Sequence, residues 1–137
     1  MNNVKFTPDG SYKFEGSRVK EETDPNGINQ HDSGAKLDAD KPDASLLGYF
    51  GNALLQVARV GTFGAKKYTR GGWQDVPDGI NRYTAAMLRH YCAENESPVD
   101  EDLPVLHAAQ VAWNALARLE LMVRDYKAAD EAERRGG

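Results

Sequence analysis

From Ser45 onward, apolar residues recur three or four positions apart: Leu47, Phe50, Leu54, Val57 and Gly61 share one side of a helix. Ser45 stands where an N-cap belongs, and the pattern predicts a helix ending near Gly64 or a few residues later. A second stripe, Tyr83, Met87 and Tyr91, predicts a helix starting near Asp78 or Gly79. The third pattern is the strongest. Leu106, Ala109, Trp113, Leu116, Leu119 and Val123 give a wide buried face to a helix opening at Asp102, with Pro104 tolerated in its first turn. "KAADEAERRGG" extends that helix until the closing glycines.

The start of the chain follows another rhythm. "VKFTPDGSYKF" alternates apolar and polar residues on both sides of a Pro-Asp-Gly turn, which predicts a small hairpin. "EETDPNGINQHDSG" has little to bury and reads as an irregular or mobile linker. The expected division is an N-terminal extension over residues 1–33 and a helical domain over 34–137. The expected fold class is mainly all-α, a small helical bundle of three principal helices with an irregular or hairpin-bearing N-terminal extension. A chain this short gains from a second copy to complete its core, so a homo-oligomer is expected.

Composition narrows the function classes. With 137 residues and a net charge of −4, the chain has room for one domain, and a surface-wide footprint for polymeric nucleic acid is not expected. One cysteine, Cys92, rules out an intrachain disulfide and a cage of cysteines around zinc, which favours a reducing compartment. The first residues lack the layout of a signal peptide, and no apolar run approaches the ~20 residues of a membrane span. A cytoplasmic protein is expected.

Four constellations could carry chemistry. In "GAKLDADKPD", Lys36 and Lys41 could clamp phosphate with Asp38 and Asp40 steering them or holding a metal, or all four could be ordinary linker charges. In "FGAKKYTRGGW", Lys66 and Lys67 suit the end of a helix dipole, whereas Tyr68 and Trp73 have no such explanation. Trp73 either packs down as a plug or faces a ligand, because cations interleaved with aromatic rings suit the phosphates and base of a nucleotide. The spacing does not match the phosphate loop of P-loop ATPases.

In "NRYTAAMLRH", Arg82 and Arg89 lie on one face above Ala85 and Ala86, a shelf for phosphate or a solvated face with ion pairs. His90 is turned from Arg89 by about 100 degrees. In "ENESPVDEDLPVLH", Glu94, Glu96, Asp100, Glu101 and Asp102 crowd before the third helix, more acid than capping requires. Such a surplus repels itself unless it is solvated or binds a cation. His107, Gln110, Asn114 and Arg118 then form a polar stripe that faces solvent or lines a site between helices.

Taken in order, these blocks resemble the phage and bacterial family of dATP/dGTP diphosphohydrolases. The matching positions are Gly34, Lys36, Asp38, Lys41 and Pro42; Gly64, Ala65, Lys67 and Tyr68; Trp73; Arg82, Tyr83, Ala86, Arg89 and His90; then Asp100, Asp102, His107 and Asn114. The resemblance covers roughly Gly34 to Val123. Members usually carry a second histidine where this chain has Gln110, a glutamate at Asp102 and a glycine at Pro104. The family is also similar to the all-α MazG-type nucleotide pyrophosphohydrolases, whose E-x-x-E and E-x-x-D helix motifs are absent from the core helices here.

The resemblance implies metal-dependent hydrolysis of purine deoxynucleoside triphosphates to the monophosphate and pyrophosphate. Under it, Mg²⁺ or Mn²⁺ is held by Glu96, Asp100 and Asp102, with Asp100, Asp102 and His107 catalytic. His107 orients or deprotonates the water; its alternative role is as a metal ligand or a partner to Asp100. Lys36, Asp38, Lys41, Lys67, Tyr68, Trp73, Arg82, Arg89, His90 and Asn114 hold the nucleotide. The rival reading is a non-catalytic nucleotide sponge or sensor. A plain helical interaction module is a third, and it leaves Trp73 and the carboxylate surplus without a reason.

Overall fold

The computed structural model describes residues 4–7, 10–14 and 22–136. Two short strands, β1 (Val4–Phe6) and β2 (Tyr12–Phe14), pair antiparallel with Lys5 opposite Lys13. Gly10, at φ +86°, lets the chain reverse between them, and the Thr7 N–H donates to Ser11 O at 2.8 Å. The expected hairpin is therefore present, although Pro8 and Asp9 of its turn lie outside the described residues. Three helices follow, α1 (Gly51–Lys67), α2 (Gly79–Ala93) and α3 (His107–Gly136), and they form the expected all-α bundle. Short 3-10 helices at Ala44–Phe50 and Gly72–Asp75 precede α1 and α2. No helix among the described residues is long and apolar enough to cross a membrane.

Helix α3 is the spine. Helix α2 packs most extensively on it, α1 less so, and the hairpin rests on its C-terminal half. There Tyr12 meets Tyr126 edge to face at 5.2 Å, and Lys5 pairs with Glu133 at 3.2 Å. The buried cluster is small: Val60 of α1, Val105 and Ala109, with Phe63, Leu103 and Trp113 packed around it. Close approach of α1 to α3 depends on Gly61. A Cβ there would stand 2.6 Å from Cζ3 and 2.9 Å from Cη2 of Trp113. An indole has no soft end to move aside, so Gly61→Ala is expected to destabilise the fold by about 1–3 kcal/mol. A thermal melt that leaves the midpoint of this variant at the wild-type value would show that α1 does not seat as described.

Three sequence expectations need correction. The turn into the first helical segment is capped by Asp43, whose carboxylate accepts the Ser45 N–H at 3.1 Å, so Ser45 is not the cap. The segment also opens as a 3-10 helix and becomes α-helical only at Gly51.

Second, α3 begins at His107, not at Asp102. The preceding residues close on themselves instead: the Asp100 N–H donates to Val105 O, the His107 N–H donates to Pro98 O, and Val99 bridges Leu106. Backbone groups paired in this way are not available to start a helix.

Third, much of each expected apolar stripe is bare. Leu47, Phe50 and Leu54 are 58, 56 and 45 % exposed, while Val57 on the same stripe is buried at 8 %. Leu106, Leu116 and Leu119 of the third stripe and Tyr91 of the second are exposed as well. Two helices packed on one spine do not supply enough neighbours to cover these faces.

Candidate functional site

The polar stripe of α3 turns inward. His107, Gln110 and Asn114 are buried and Arg118 is half-buried, so the stripe lines the packed side of the helix and does not face solvent. Arg118 donates through Nε to Thr84 Oγ1 of α2 at 2.7 Å. Asn114 donates to Gln110 O one turn back at 2.8 Å. Polar side chains at a helix contact keep their place only when such partners exist.

The top of this seam gathers three groups that could act on a substrate. His90 comes from the last turn of α2, His107 is the first residue of α3, and Asp100 comes from the loop between them. Their donor atoms all lie within 4.8 Å of one another. The two Nδ1 atoms are 3.0 Å apart, and His90 Nδ1 stands 4.0 Å from Asp100 Oδ2. Two hydrogen bonds fix the carboxylate: Gln110 Nε2 donates to Oδ2 at 2.5 Å and the Asp102 N–H donates to Oδ1 at 2.9 Å. The loop that delivers Asp100 is anchored by Val105 in the buried cluster. The site is thus built on the core of the fold.

Electrostatics keep the groups in useful states. Burial pushes the His90 imidazole below its ordinary value; the attraction of Asp100 works against this, while His107 and Arg89 add to it. Asp100 is also held below the usual carboxylate range. Burial would raise it, but the Gln110 and Asp102 hydrogen bonds and the two imidazoles together outweigh that cost. A neutral imidazole and an ionised carboxylate are the forms that accept protons or bind cations.

A stability consequence follows for the protein without ligands. The unfolded chain protonates its His90 equivalent first as pH falls, so the folded state loses stability below about pH 6.5. The Asp100 contribution persists to lower pH, being lost only below about pH 3.9. Melting temperature should drop from pH 7 to pH 5.5, and His90→Gln should flatten part of that slope. An unchanged slope in the variant would assign the pH effect elsewhere.

The other expected site residues are distributed around this seam or away from it. Glu94, Glu96, Glu101 and Asp102 have exposed side chains, and none belongs to the three-residue cluster. Asp102 contributes its backbone N–H to Asp100. Trp73 takes the packing role of its two alternatives. Its ring meets Trp113 at 6.2 Å and Tyr83 at 6.5 Å, Arg124 lies over it at 5.7 Å, and the Tyr83 hydroxyl donates to its carbonyl at 2.6 Å. The preceding Gly71, at φ +80°, makes the turn that brings the ring down.

Tyr68 is exposed just past α1, with the Lys67 ammonium 5.2 Å from its ring centre. Arg82 and Arg89 are exposed on α2, and neither forms an ion pair among the described residues. That absence disfavours the ion-pair explanation of the arginine face.

Lys36, Asp38 and Lys41 sit in a loop organised by a residue the sequence reading passed over. Asp24 accepts the Lys36 N–H at 2.8 Å and the Asn26 N–H at 2.7 Å. The Lys36 bond, first of all, holds its carboxyl below the ordinary value. "DPNG" is an Asx-turn sequence and could have signalled this. Lys41 approaches Glu22 at 3.7 Å.

Residues 31–131 match the family described as dATP/dGTP diphosphohydrolase, N-terminal. The chain belongs to this family. The matched region holds the 3-10 segments, α1, α2, the Asp100 loop and most of α3, and so the whole His90–Asp100–His107 cluster. No curated protein and no solved structure matches the chain.

Proposed function

We propose that this diphosphohydrolase-family chain hydrolyses purine deoxynucleoside triphosphates, dATP or dGTP, to the monophosphate and pyrophosphate, and that His90, Asp100 and His107 form its reaction centre. The convergence of two imidazole nitrogens and an ionised carboxylate inside the family-matched region carries the reading. A water oxygen attacks the α-phosphorus, the bond from that phosphorus to the bridging oxygen breaks, and its electron pair leaves on pyrophosphate. Asp100 and His107 orient the water and draw off its proton. Arg82, Arg89, Lys67 and the lysines of the Asp24 loop neutralise phosphate oxygens, since phosphoryl transfer depends chiefly on positioning and charge. A divalent cation suits the donor set of this cluster, and when bound it acidifies the water and offsets the charge that develops on phosphorus.

The protein is further proposed to work as a homo-oligomer. Among the described residues, Leu47, Phe50 and Leu54 of the first apolar stripe and Leu116 and Leu119 of the third are bare in a single chain, and a second copy could cover them. Two shallow, open depressions among the described residues, about 350 and 300 Å³, are lined by Lys5, Asp130, Glu133 and Arg134 and by residues of the Glu22–Leu37 segment. Neither includes a residue of the cluster.

The direct test incubates purified protein with a panel of nucleoside triphosphates and divalent metals, and separates the products by chromatography. Pyrophosphate and dAMP or dGMP are expected; tight binding of dATP or dGTP without products would leave the sponge reading in possession. Arg82→Ala and Arg89→Ala should each weaken nucleotide binding by about 1–3 kcal/mol. Their melting points without nucleotide should stay close to the wild-type value, because both side chains are exposed, neither forms an ion pair among the described residues, and Arg82 makes only a long hydrogen bond to Pro77 O at 3.4 Å. Loss of unliganded stability in either variant would return these arginines to a structural role.

A further inference from the structure

The chemistry of the three donors says more than that a cation fits. We propose that His90 Nδ1, His107 Nδ1 and Asp100 Oδ2 form a resident site for a borderline first-row divalent ion of the Zn²⁺, Co²⁺ or Fe²⁺ class, taken up by the free protein before nucleotide arrives. The inference deepens the proposed function by naming the ion class of the same cluster, but ion uptake does not require turnover.

Donors bound to one such ion at 2.0–2.2 Å stand about 3.0–3.5 Å apart. The two Nδ1 atoms are already at 3.0 Å, and the carboxylate oxygen at 4.0 Å from His90 needs only a small side-chain rotation to join them. The simpler account of the 3.0 Å contact is a hydrogen bond between imidazoles. That bond requires opposite tautomers and does not involve the carboxylate oxygen 4.0 Å from His90 Nδ1. The Gln110 and Asp102 hydrogen bonds already orient Asp100; a shared ion would in addition tie its oxygen to both nitrogens. The ring centres are 5.3 Å apart and the planes inclined by 36°, so the two imidazoles are not stacked face to face.

Ligand type then selects the ion. Mg²⁺ favours a near-octahedral shell of oxygen atoms and retains its waters, whereas imidazole suits zinc, cobalt, nickel, iron and copper. Two imidazoles and one carboxylate form a recurrent site for transition ions, with further positions left for water or a phosphate oxygen. The outer contacts are also in place. Gln110 holds the ligating oxygen of Asp100, the Asp102 N–H holds its partner oxygen, and the loop is closed by the pairing of Val99 with Leu106. On this assignment Asp100 and His107 act on water through the ion in place of taking its proton directly, which for His107 is the second of its two expected roles. The exposed carboxylates of Glu96 and Asp102 are not ligands.

The test strips full-length protein with a chelator and titrates it with Co²⁺, following visible absorption, and with Zn²⁺ and Mg²⁺ by calorimetry. One Co²⁺ or Zn²⁺ per chain is expected, with Mg²⁺ in the millimolar range failing to displace it. His90→Ala, His90→Gln and Asp100→Asn should each weaken Co²⁺ binding at least tenfold, Gln110→Ala by about tenfold, and Glu96→Gln and Asp102→Asn not at all. Far-ultraviolet spectra establish that each variant is folded, and His90→Gln retains a polar side chain should His90→Ala not fold.

Absence of sub-millimolar Co²⁺ or Zn²⁺ binding overturns the inference, as does wild-type affinity in a folded His90 variant. Hydrolysis supported by Mg²⁺ alone, without uptake of a transition ion, would sink the ion assignment and spare the proposed function. Tight Co²⁺ binding without hydrolysis of any nucleotide would do the reverse.

Discussion

Asp100→Asn protein is expected to bind dATP or dGTP within a few-fold of wild type and to release pyrophosphate at least 10²–10³ times more slowly. Affinity draws on exposed lysines and arginines that the substitution does not touch. Turnover draws on the one carboxylate in the cluster, and asparagine carries no charge to hold a cation or accept a proton.

The local geometry sharpens the expectation. Both oxygens of Asp100 accept hydrogen bonds, from Gln110 and from the Asp102 N–H. Asparagine must turn its NH₂ against one of these donors, at a cost of about 1–3 kcal/mol to stability. Melting should therefore be recorded beside the single-turnover rate. Asp102→Asn is the matched control, since only the backbone of Asp102 reaches the cluster. Equal and severe losses in both variants would restore the all-carboxylate metal site expected from the acidic segment. Full activity in Asp100→Asn would remove the reaction centre from this seam.

The second large effect concerns assembly. Light scattering on wild-type protein should give the mass of a dimer or a larger closed oligomer, and Leu47→Glu combined with Leu54→Glu should shift it to monomer. These leucines continue the stripe that seats Val57 and Gly61 on α3, yet they are 58 and 45 % exposed in one chain. Leu46, Phe50 and Leu55 lie close by and are exposed as well, so the bare surface is a contiguous patch along the 3-10 segment and the start of α1. Burying one leucine contributes about 1.5–3 kcal/mol. In a symmetric dimer each substitution acts twice, so the double change should raise the dissociation constant by several orders of magnitude. If nucleotide hydrolysis falls with oligomer mass and recovers at high protein concentration, the second copy also completes the active site. A wild-type protein that is monomeric at all concentrations would refute the assembly.

Sequence periodicity carried the helical bundle a long way. The apolar stripe of Tyr83 and Met87 placed the start of α2 to within a residue, and the Gly-x-Lys, Lys-Tyr, Arg-His and Asp blocks pointed to the family that residues 31–131 match. Helix amphipathicity and glycine placement are local properties, so a short window of residues contains them. The hairpin was legible for the same reason, because alternation and a turn sequence fall within eleven residues.

The start of α3 was not legible. The residues from Asp100 to Leu106 contain acids and a proline suited to a first helical turn, and their choice of a closed loop depends on backbone partners at Pro98 and Val105. Nor could the sequence separate the five carboxylates. Only Asp100 turns inward, because Gln110 is there to hold it and Val105 pins the loop to the core.

By itself, the sequence determined that three helices form and roughly where each lies, and which of their faces are apolar. Tertiary structure alone decided that Trp73 is a packed plug, that the α3 polar stripe points inward, and that His90 joins Asp100 and His107. The reason is physical: periodicity fixes the direction of a side chain relative to its own helix axis. Which atoms converge depends on how helices from distant parts of the chain are rotated and seated against one another. That seating is set by close contacts such as Gly61 on Trp113 and Arg118 on Thr84, which no single segment contains.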